Sequence, residues 1–519
     1  MPDAALFSLT DKSGAGELAR ELAARGVAIY ATGGTRDALI AEGVDARGVD
    51  ELTGFPPLFG GRVKTVHPKI LGAILSDRED ETHREHAREN AIGSFSTVVV
   101  NLYPFERTVA SGASHREAIE QVDVGGVALL RASAKNYRYV TVLSDPSQYA
   151  EYLDALRGDG PDEEHRRRFA AAALERTAEY DAAIARYLSG AGSGARAELP
   201  GALTVAMPLA QQLRYGENPQ LRAAFYLQAS RSVPEQLHGK ALSYNNLLDL
   251  DATLRLLSRA VLGAEFGSQR ERFTRAAIVK HTVPCGVAQR STAEIAVREA
   301  LAADPVSAYG GILAADRAID EAAAKAIAPF FLELVAAPEF DPGALALLKK
   351  KKNLRIMRFA PGLPDELQRG LQLRSALGGV LAEEEDPAFA RESWTVAGAR
   401  EPAEQEWHDL ALAWDVVRHV KSNGVVVVKD GVTRGICAGQ TNRVSAVQIA
   451  GMRAGVHARG AACASDGFFP FADGLEAAAA AGCSAVIAPS GSIRDAEVVA
   501  AADRLGVALV FSSHRYFLH

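Results

Sequence analysis

AALFSLTDKSGAGELARELAARGVAIYATGGT, residues 4–35, is the stretch that decides the fold class. Residues 4–9 form a short apolar run that reads as a strand. The polar turn TDKSG follows, and residues 15–25 carry the spacing of an amphipathic helix. Residues 27–31 (VAIYA) read as a second strand, and TGGT opens another helix. Strands apolar on both faces, alternating with helices, call for a parallel sheet covered by helices. Later strands are expected at 97–102 (TVVVNL) and 139–143 (YVTVL). Residues 189–201 (SGAGSGARAELPG) shift to Gly, Ser, Ala and Pro and read as a linker. Beyond it the α/β pattern restarts, with a strand at 276–280 (AAIVK) and a helix near 291–302. A hairpin is expected at 424–438, turning on Asp430-Gly431. A strand–helix–strand unit closes the chain, from 484–488 (SAVIA) through 493–505 to 507–511 (VALVF). No internal sequence repeat stands out.

The 519 residues amount to about three domains, or two large ones, at ~150 residues per domain. With 48% hydrophobic and 23% charged residues the composition is that of a globular protein, which excludes a disordered chain, a collagen and a coiled coil. Lysine plus arginine is 57 against 64 for aspartate plus glutamate, a net charge of −7. A nucleic-acid polymer is therefore not expected as a partner. A local lysine cluster can still bind a small phosphate. Cys285, Cys437, Cys463 and Cys483 form no CxxC and read as reduced thiols of a cytoplasmic protein. The N-terminus has no basic segment followed by an apolar core, so no signal peptide is expected. No stretch of about 18 uninterrupted apolar residues exists, so no membrane span is expected. The run Lys349–Lys352 reads as a solvated surface turn.

In open α/β sheets ligands bind at the carboxyl ends of strands, in loops leading into helices. Thr10-Asp11-Lys12-Ser13 follows the first strand, and Thr32-Gly33-Gly34-Thr35 follows the second. Glycines there let backbone N–H groups approach an anion at a helix N-terminus, although they equally serve plain tight turns. Lys12 and the segment Arg62-Val63-Lys64-Thr65 add the cations a phosphate needs. The other reading of Arg62 and Lys64 is an exposed loop; Gly60-Gly61 and His67-Pro68 favour a shaped one. Asn101 and Tyr103 end a strand, where Tyr103 is either a core aromatic or a proton donor. Asp123-Val124-Gly125-Gly126 opens a helix, and Asp123 is either its cap or a site carboxylate. Arg131 and Lys135, four apart on that helix, share a face suited to an anion or an acidic partner. In the second region Lys280-His281 ends a strand. A nearby ammonium lowers a histidine pKa and keeps it neutral, as a general base must be. Pro284-Cys285 brings zinc into consideration, but the zinc-deaminase signature needs H-x-E and P-C-x-x-C. Val283 and Ala288 break its two halves, so no metal is expected.

The ordered motifs ATGGT (31–35), GGRVKTVHPKILGAIL (60–75), NLYPF (101–105), QVDVGGVALLRASAKN (121–136), LRYGENPQ (213–220), GKALSYNNLLDLDA (239–252), VKHTVPCG (279–286), DPVSAYGGI (304–312), SNGVVV (422–427), CAGQTNRVSAV (437–447), SDGFFPF (465–471) and APSGSIRD (488–495) run nearly the whole chain. With them the chain resembles the bifunctional purine-biosynthesis family of phosphoribosylaminoimidazolecarboxamide (AICAR) formyltransferase / IMP cyclohydrolase. The resemblance implies a cyclohydrolase domain of methylglyoxal-synthase-like fold at residues 1–195. Residues 196–519 are then a transformylase of two cytidine-deaminase-like subdomains without zinc. It implies a homodimer with transformylase sites at the interface.

The implied reactions are formyl transfer from the co-substrate 10-formyltetrahydrofolate to AICAR, then ring closure of formyl-AICAR to IMP with loss of water. No metal is required. The first reaction needs a base for a poorly nucleophilic amine and a cation for the tetrahedral oxyanion. The resemblance assigns the base to His281, the cation to Lys280 and an orienting role to Asn423. It puts Arg214, Tyr215, Gly310, Glu333, Arg443, Asp473, Ser492 and Arg515 on the nucleotide, with Val444, Phe468 and Ile493 near it or on the folate side. Val283 stands where bacterial members often have Asn, and Glu333 where some have Asp. For ring closure the resemblance assigns Lys135 as proton donor, with Lys64 and Tyr103 in support and Asp123 on the amide. Thr10, Lys12, Gly33, Gly34, Thr35, Arg62, Thr65, Asn101 and Val124 hold the nucleotide and its phosphate. Two other classes are weighed against this: a methylglyoxal-synthase-like lyase fused to a zinc deaminase, and a non-enzymatic nucleotide sensor.

Overall fold

The computed structural model describes residues 3–190, 199, 201–227, 233–258, 273–385 and 394–519; most of the expected linker lies outside them. The chain forms two compact units that part between Pro208 and Leu209.

In the first unit β1 (Ala4–Ser8), β2 (Ala28–Ala31), β3 (Ala46–Gly48), β4 (Phe95–Val100) and β5 (Thr141–Leu143) form one sheet. Its order is β3-β2-β1-β4-β5 and every pair is parallel. The expected strands fall within a residue or two of these. Successive residues of a strand face opposite ways, and both faces here are apolar. Leu6, Val98 and Val100 join one core with the helices Gly125–Lys135 and Glu163–Leu188. Phe7 and Val99 join the other with the helix Ala15–Ala24. The 26-residue helix Glu163–Leu188 was not anticipated; its stripe Phe169, Ala173, Tyr180 is buried, and the Asp162 carboxylate caps it through the His165 N–H at 2.8 Å. The strand order reverses direction between β1 and β4. That makes the carboxyl ends of these two strands the topological switch point, where such sheets open a crevice.

The second unit begins with a ribbon of β6 (Leu209–Leu213) and β7 (Ala223–Tyr226). Its main sheet then takes β8 (Glu235–His238), β9 (Thr274–Lys280), β10 (Val283–Arg290), β11 (Ile312–Ala315), β12 (Leu334–Ala337) and β13 (Arg355–Arg358). A ribbon of β14 (Leu371–Ala376) and β15 (Gly379–Glu384) follows. The main sheet continues with β16 (Trp394–Val396), β17 (Val425–Lys429), β18 (Val432–Cys437), β19 (Ala462–Ser465), β20 (Ala485–Pro489) and β21 (Ala508–Ser512). The order is β16-β21-β20-β19-β17-β18-β10-β9-β11-β12-β13-β8.

That order reads the same from either edge to its centre. Each half has a leading strand, a helix (Tyr244–Leu257 or Glu404–Val417), a hairpin (β9–β10 or β17–β18) and three parallel strands alternating with helices. In each half the leading strand pairs antiparallel with the last one. The halves meet where β10 pairs antiparallel with β18, Ala288 opposite Val432. The structure thus contains the repeat that the sequence hides. The two leading helices share one face, with Leu254, Trp414 and Val417 in a single core. The short helix Leu363–Glu366 joins that core, and the other helices cover the opposite face in two separate cores. One sequence mark of the repeat is steric: a Cβ on Gly286 would lie 2.1 Å from the Ala300 carbonyl oxygen, and on Gly435 2.0 Å from that of Ala450. Helix and strand cross so closely there that only glycine fits.

The lysine run follows the helix Pro342–Leu348 as a turn, as expected, with one exception. Lys351 folds its ammonium onto the Phe330 carbonyl, and burial holds its pKa down.

Candidate active sites

The switch point of the first unit is stitched by Asn101. Its Oδ1 accepts the N–H groups of Thr10 (2.6 Å) and Asp11 (2.9 Å), and its Nδ2 donates to the Asp11 carbonyl (2.6 Å). The loop after β1 is thus held by the residue after β4. Thr35, buried at the start of the helix Gly33–Ala41, donates its hydroxyl to the Leu9 carbonyl (3.1 Å) and accepts the Leu9 N–H (2.9 Å). Gly33 and Gly34 are exposed, with nothing within 4 Å of where a Cβ would stand. The Thr10 hydroxyl is buried without a hydrogen-bond partner. Lys12 donates to the Thr10 carbonyl (3.2 Å), and Arg62 pairs with Glu120.

Beside this crevice Asp123 accepts the Gly126 N–H at 2.7 Å and so caps the first turn of its helix. Burial raises its pKa, against the opposing pull of the Gly126 and Tyr103 N–H groups and the Lys64 ammonium. Tyr103 is 40% exposed, so it is no core aromatic; partial burial and the Asp123 charge raise its pKa. The Lys64 side chain runs over Gly61, and the Thr65 hydroxyl lies 2.7 Å from where a Gly125 Cβ would stand. Val124 is 67% exposed beside them. Lys135 is not in this group. It ends the helix Gly125–Lys135, about 15 Å along the axis from Gly125, farther than a lysine side chain reaches.

Strand direction brings most of the transformylase candidates onto one edge of the large sheet. β9 and β18 run the same way, and β11 to β13 run against them. β17 opposes β18, and β19 to β21 oppose β17. The end of β9, the starts of β11 to β13, the start of β17 and the ends of β19 to β21 therefore share an edge. Lys280, His281, Gly310, Glu333, Asn423, Arg443, Phe468, Ser492, Ile493 and Arg515 all sit at or just beyond these strand ends. The edge is long: β9 to β17 is three strand steps, about 14 Å, and β12 to β20 is seven, about 34 Å. Arg214 and Tyr215 follow β6, outside the main sheet, the guanidinium 5.4 Å above the ring; their loop is tied to the start of the helix Tyr244–Leu257, where Asn245 donates to the Glu217 carbonyl (3.2 Å).

The details are local. Lys280 donates its Nζ to the Tyr309 carbonyl (2.7 Å), and the Gly310 N–H donates to that of Phe331 (2.8 Å). Glu333 is paired with the nearly buried Arg355 at 2.7 Å. The Asn423 backbone N–H (3.0 Å) and Nδ2 (2.7 Å) both donate to the Gln440 carbonyl. Arg443 opens its helix, followed by Val444, and ties to the Ser465 hydroxyl (3.0 Å) and to fully buried Asp466. Asp466 also accepts the hydroxyl of Ser422, the neighbour of Asn423. It was not picked out from the sequence, although it stands inside SDGFFPF. Asp473 starts the helix Asp473–Ala481, the Ser492 N–H donates to Asp495 (3.2 Å), and Arg515 lies 4.4 Å over Phe517. A cleft of about 560 Å³ opens beside the β9–β10 turn, lined by Lys280, His281, Cys285, Asp304, Arg434 and Arg453. Burial pushes the Cys285 thiol up to about 12, so it stays protonated at neutral pH. Among the described residues no three His, Cys, Asp or Glu side chains gather as a metal cage.

An N-terminal parallel sheet with a crevice at its switch point, followed by a duplicated mixed sheet, defines a two-part α/β enzyme. Comparison with known proteins agrees. The model of the MGS-like domain matches residues 14–128, and that of the AICARFT/IMPCHase bienzyme matches residues 133–453. The bifunctional purine biosynthesis protein PurH of Caulobacter vibrioides is 44% identical over 526 residues, covering 100% of this chain and 97% of that protein. Its counterpart in Desulfitobacterium hafniense is 45% identical, covering 99% of each chain, and that in Bacillus cereus 44%, covering 100% of each. The chain belongs to the AICARFT/IMPCHase bienzyme family. It is a formyltransferase and an IMP cyclohydrolase, acting in the last two steps of purine nucleotide synthesis.

Proposed function

We propose that the two reactions run on the two residue sets above, with 10-formyltetrahydrofolate as formyl donor and AICAR as acceptor. The single-edge convergence of Lys280, His281 and Asn423 carries the transformylase reading. His281 takes the proton of the AICAR amine as it attacks the formyl carbon, and the tetrahedral adduct collapses by breaking the bond from that carbon to N10 of the folate, which leaves with a proton as tetrahydrofolate. Lys280 supplies charge to the oxyanion. Asn423, its amide nitrogen committed to Gln440, offers its amide oxygen to orient the amine. Arg214, Tyr215, Gly310, Glu333, Arg443, Asp473, Ser492 and Arg515 bind the nucleotide, with Val444, Phe468 and Ile493 beside it. An edge of about 34 Å is too long for one substrate pair to touch throughout, which supports a homodimer whose sites draw residues from two copies.

Ring closure takes place at the switch point of the first unit. Much of its rate comes from holding amide and formyl together. Asp123, its pKa raised by burial, is a stronger base than a free carboxylate and activates the amide. Tyr103 keeps its proton and donates a hydrogen bond, and Lys64 balances the developing charge. Thr10, Lys12, Gly33, Gly34, Thr35, Arg62, Thr65, Asn101 and Val124 cradle the nucleotide. Lys135, to which the resemblance assigns the proton for the departing oxygen, lies about 15 Å along its helix from Gly125 and is left out of this set. A cytoplasmic location is supported by free, buried Cys437, Cys463 and Cys483. No helix among the described residues is long and apolar enough to cross a membrane.

The test mixes the protein with AICAR and 10-formyltetrahydrofolate and follows tetrahydrofolate and IMP. Absence of tetrahydrofolate refutes the transformylase reading.

A further inference from the structure

Each half of the large sheet lays one carboxylate on its own hairpin turn. In the second half Asp409, five residues beyond the first residue of the helix Glu404–Val417, accepts the N–H groups of Asp430 (2.8 Å) and Gly431 (2.7 Å). In the first half Asp249, equally placed in the helix Tyr244–Leu257, accepts those of His281 (3.3 Å) and Thr282 (2.6 Å). Both turns have two central residues, between Lys429 and Val432 or between Lys280 and Val283. Both need left-handed backbone at both positions, with φ of 52° and 71° in one and 57° and 59° in the other. Asp-Gly is a preferred pair for such a turn. His-Thr is not: left-handed backbone at a β-branched residue is sterically disfavoured.

The same device therefore does different things in the two copies. At Asp430-Gly431 the local sequence already favours the turn, and that turn lies on the edge opposite the transformylase candidates. At His281-Thr282 the residues oppose the conformation they adopt. The Asp249 carboxylate offsets this with two charge-assisted hydrogen bonds, and the Thr282 hydroxyl adds one to the His281 carbonyl (2.7 Å). Strained backbone of this kind persists only where its surroundings over-determine it, and it gathers at active sites.

We infer that Asp249 is a positioning residue for formyl transfer: its carboxylate holds the His281-Thr282 turn and thereby the direction of the His281 imidazole. The inference rests on His281 as the proton acceptor. A substrate amine held within hydrogen-bond reach of that imidazole tolerates little displacement, since a misplacement of about 1 Å costs about a hundredfold in rate.

The experiment compares Asp249→Ala, Asp249→Asn, Asp409→Ala, His281→Ala and the double variant Asp249→Ala/Thr282→Gly in the full-length protein. Formyl transfer, AICAR KM and cyclisation of supplied formyl-AICAR are measured for each, and cyclisation reports on the integrity of the other unit. Asp249→Ala is expected to lower the formyl-transfer kcat about a hundredfold, with a much smaller change in KM and cyclisation intact. Asp249→Asn, which keeps one acceptor oxygen, is expected to fall between it and the wild type. Asp409→Ala loses the same bonds and is expected to lose thermal stability but not kcat. Thr282→Gly, which accepts left-handed backbone freely, is expected to restore part of the lost kcat. Wild-type kcat in Asp249→Ala overturns the inference, as does an equal kcat loss in Asp409→Ala or no recovery with Thr282→Gly. Formyl transfer retained by His281→Ala instead removes the reading of His281 itself, and the inference with it.

Discussion

Asp123 caps its helix and is the carboxylate proposed to activate the amide, and its hydrogen bonds and its burial pull its proton affinity in opposite directions. Its N–H contacts stabilise the anion, while burial penalises it more, and the net pKa is raised. A carboxyl whose pKa is higher folded than unfolded binds protons more tightly in the native state. Its contribution to stability therefore declines as pH rises through the window between the two values, and at neutral pH the buried charge is a cost. Asp123→Asn is expected to abolish cyclisation while leaving the melting temperature at pH 7 equal to or above that of the wild type. Scanning calorimetry alongside IMP formation checks both halves of that statement. A marked drop in melting temperature with cyclisation retained reduces Asp123 to a cap. The two sites also separate by substitution. His281→Ala is expected to stop formyl transfer and spare cyclisation, and Tyr103→Phe to let formyl-AICAR accumulate. Chromatography of the products distinguishes the three compounds, and loss of both activities in either folded variant contradicts two independent sites.

Among elements, the hairpins and the helices crossing them carry the design. Gly286 and Gly435 each let the following helix approach to backbone contact, against Ala300 and Ala450. Gly435→Ala is expected to destabilise the second unit by about 1–3 kcal/mol, the usual cost of forcing extra atoms into a packed contact. Denaturant unfolding measures it. A change within error shows that the crossing relaxes and that the glycine is not required there. Strand and helix positions such as β1, β2, β20 and β21 were legible because apolar runs and helical spacing are local properties of the chain. The β17–β18 hairpin was legible for the same reason, since Asp430-Gly431 announces its turn. The β9–β10 hairpin was not, because His281-Thr282 is a poor turn sequence held by Asp249, thirty-odd residues away. The helix Glu163–Leu188 also escaped notice. It is rich in Arg and Glu, and the buried residues, Phe169, Ala170, Ala173, Thr177, Tyr180 and Ala182, are mostly small.

At the scale of the whole molecule, most of the transformylase candidates lie along a sheet edge too long for one substrate pair. The cyclohydrolase candidates, Lys135 excepted, gather at one switch point. The two activities are therefore expected to respond differently to dilution. Formyl transfer per mole of protein is expected to fall as the proposed homodimer dissociates, while cyclisation persists. Sedimentation run over the same concentrations supplies the dissociation curve, and transfer activity that is independent of concentration below the dimer–monomer midpoint refutes a shared site. The sequence by itself determined the α/β class, the placement of the candidate anion-binding loops at strand ends and, through its ordered motifs, the family. Those features reside in short stretches whose chemistry does not depend on distant neighbours. Only the tertiary structure decided the duplication of the second unit, the tie of Asn101 to Thr10 and Asp11, the hold of Asp466 on Arg443 and of Asp249 on the His281 turn. It also set Lys135 apart from Asp123. Each of these depends on strand order and helix length, which bring residues far apart in the chain together or keep near ones apart, and no local pattern records them.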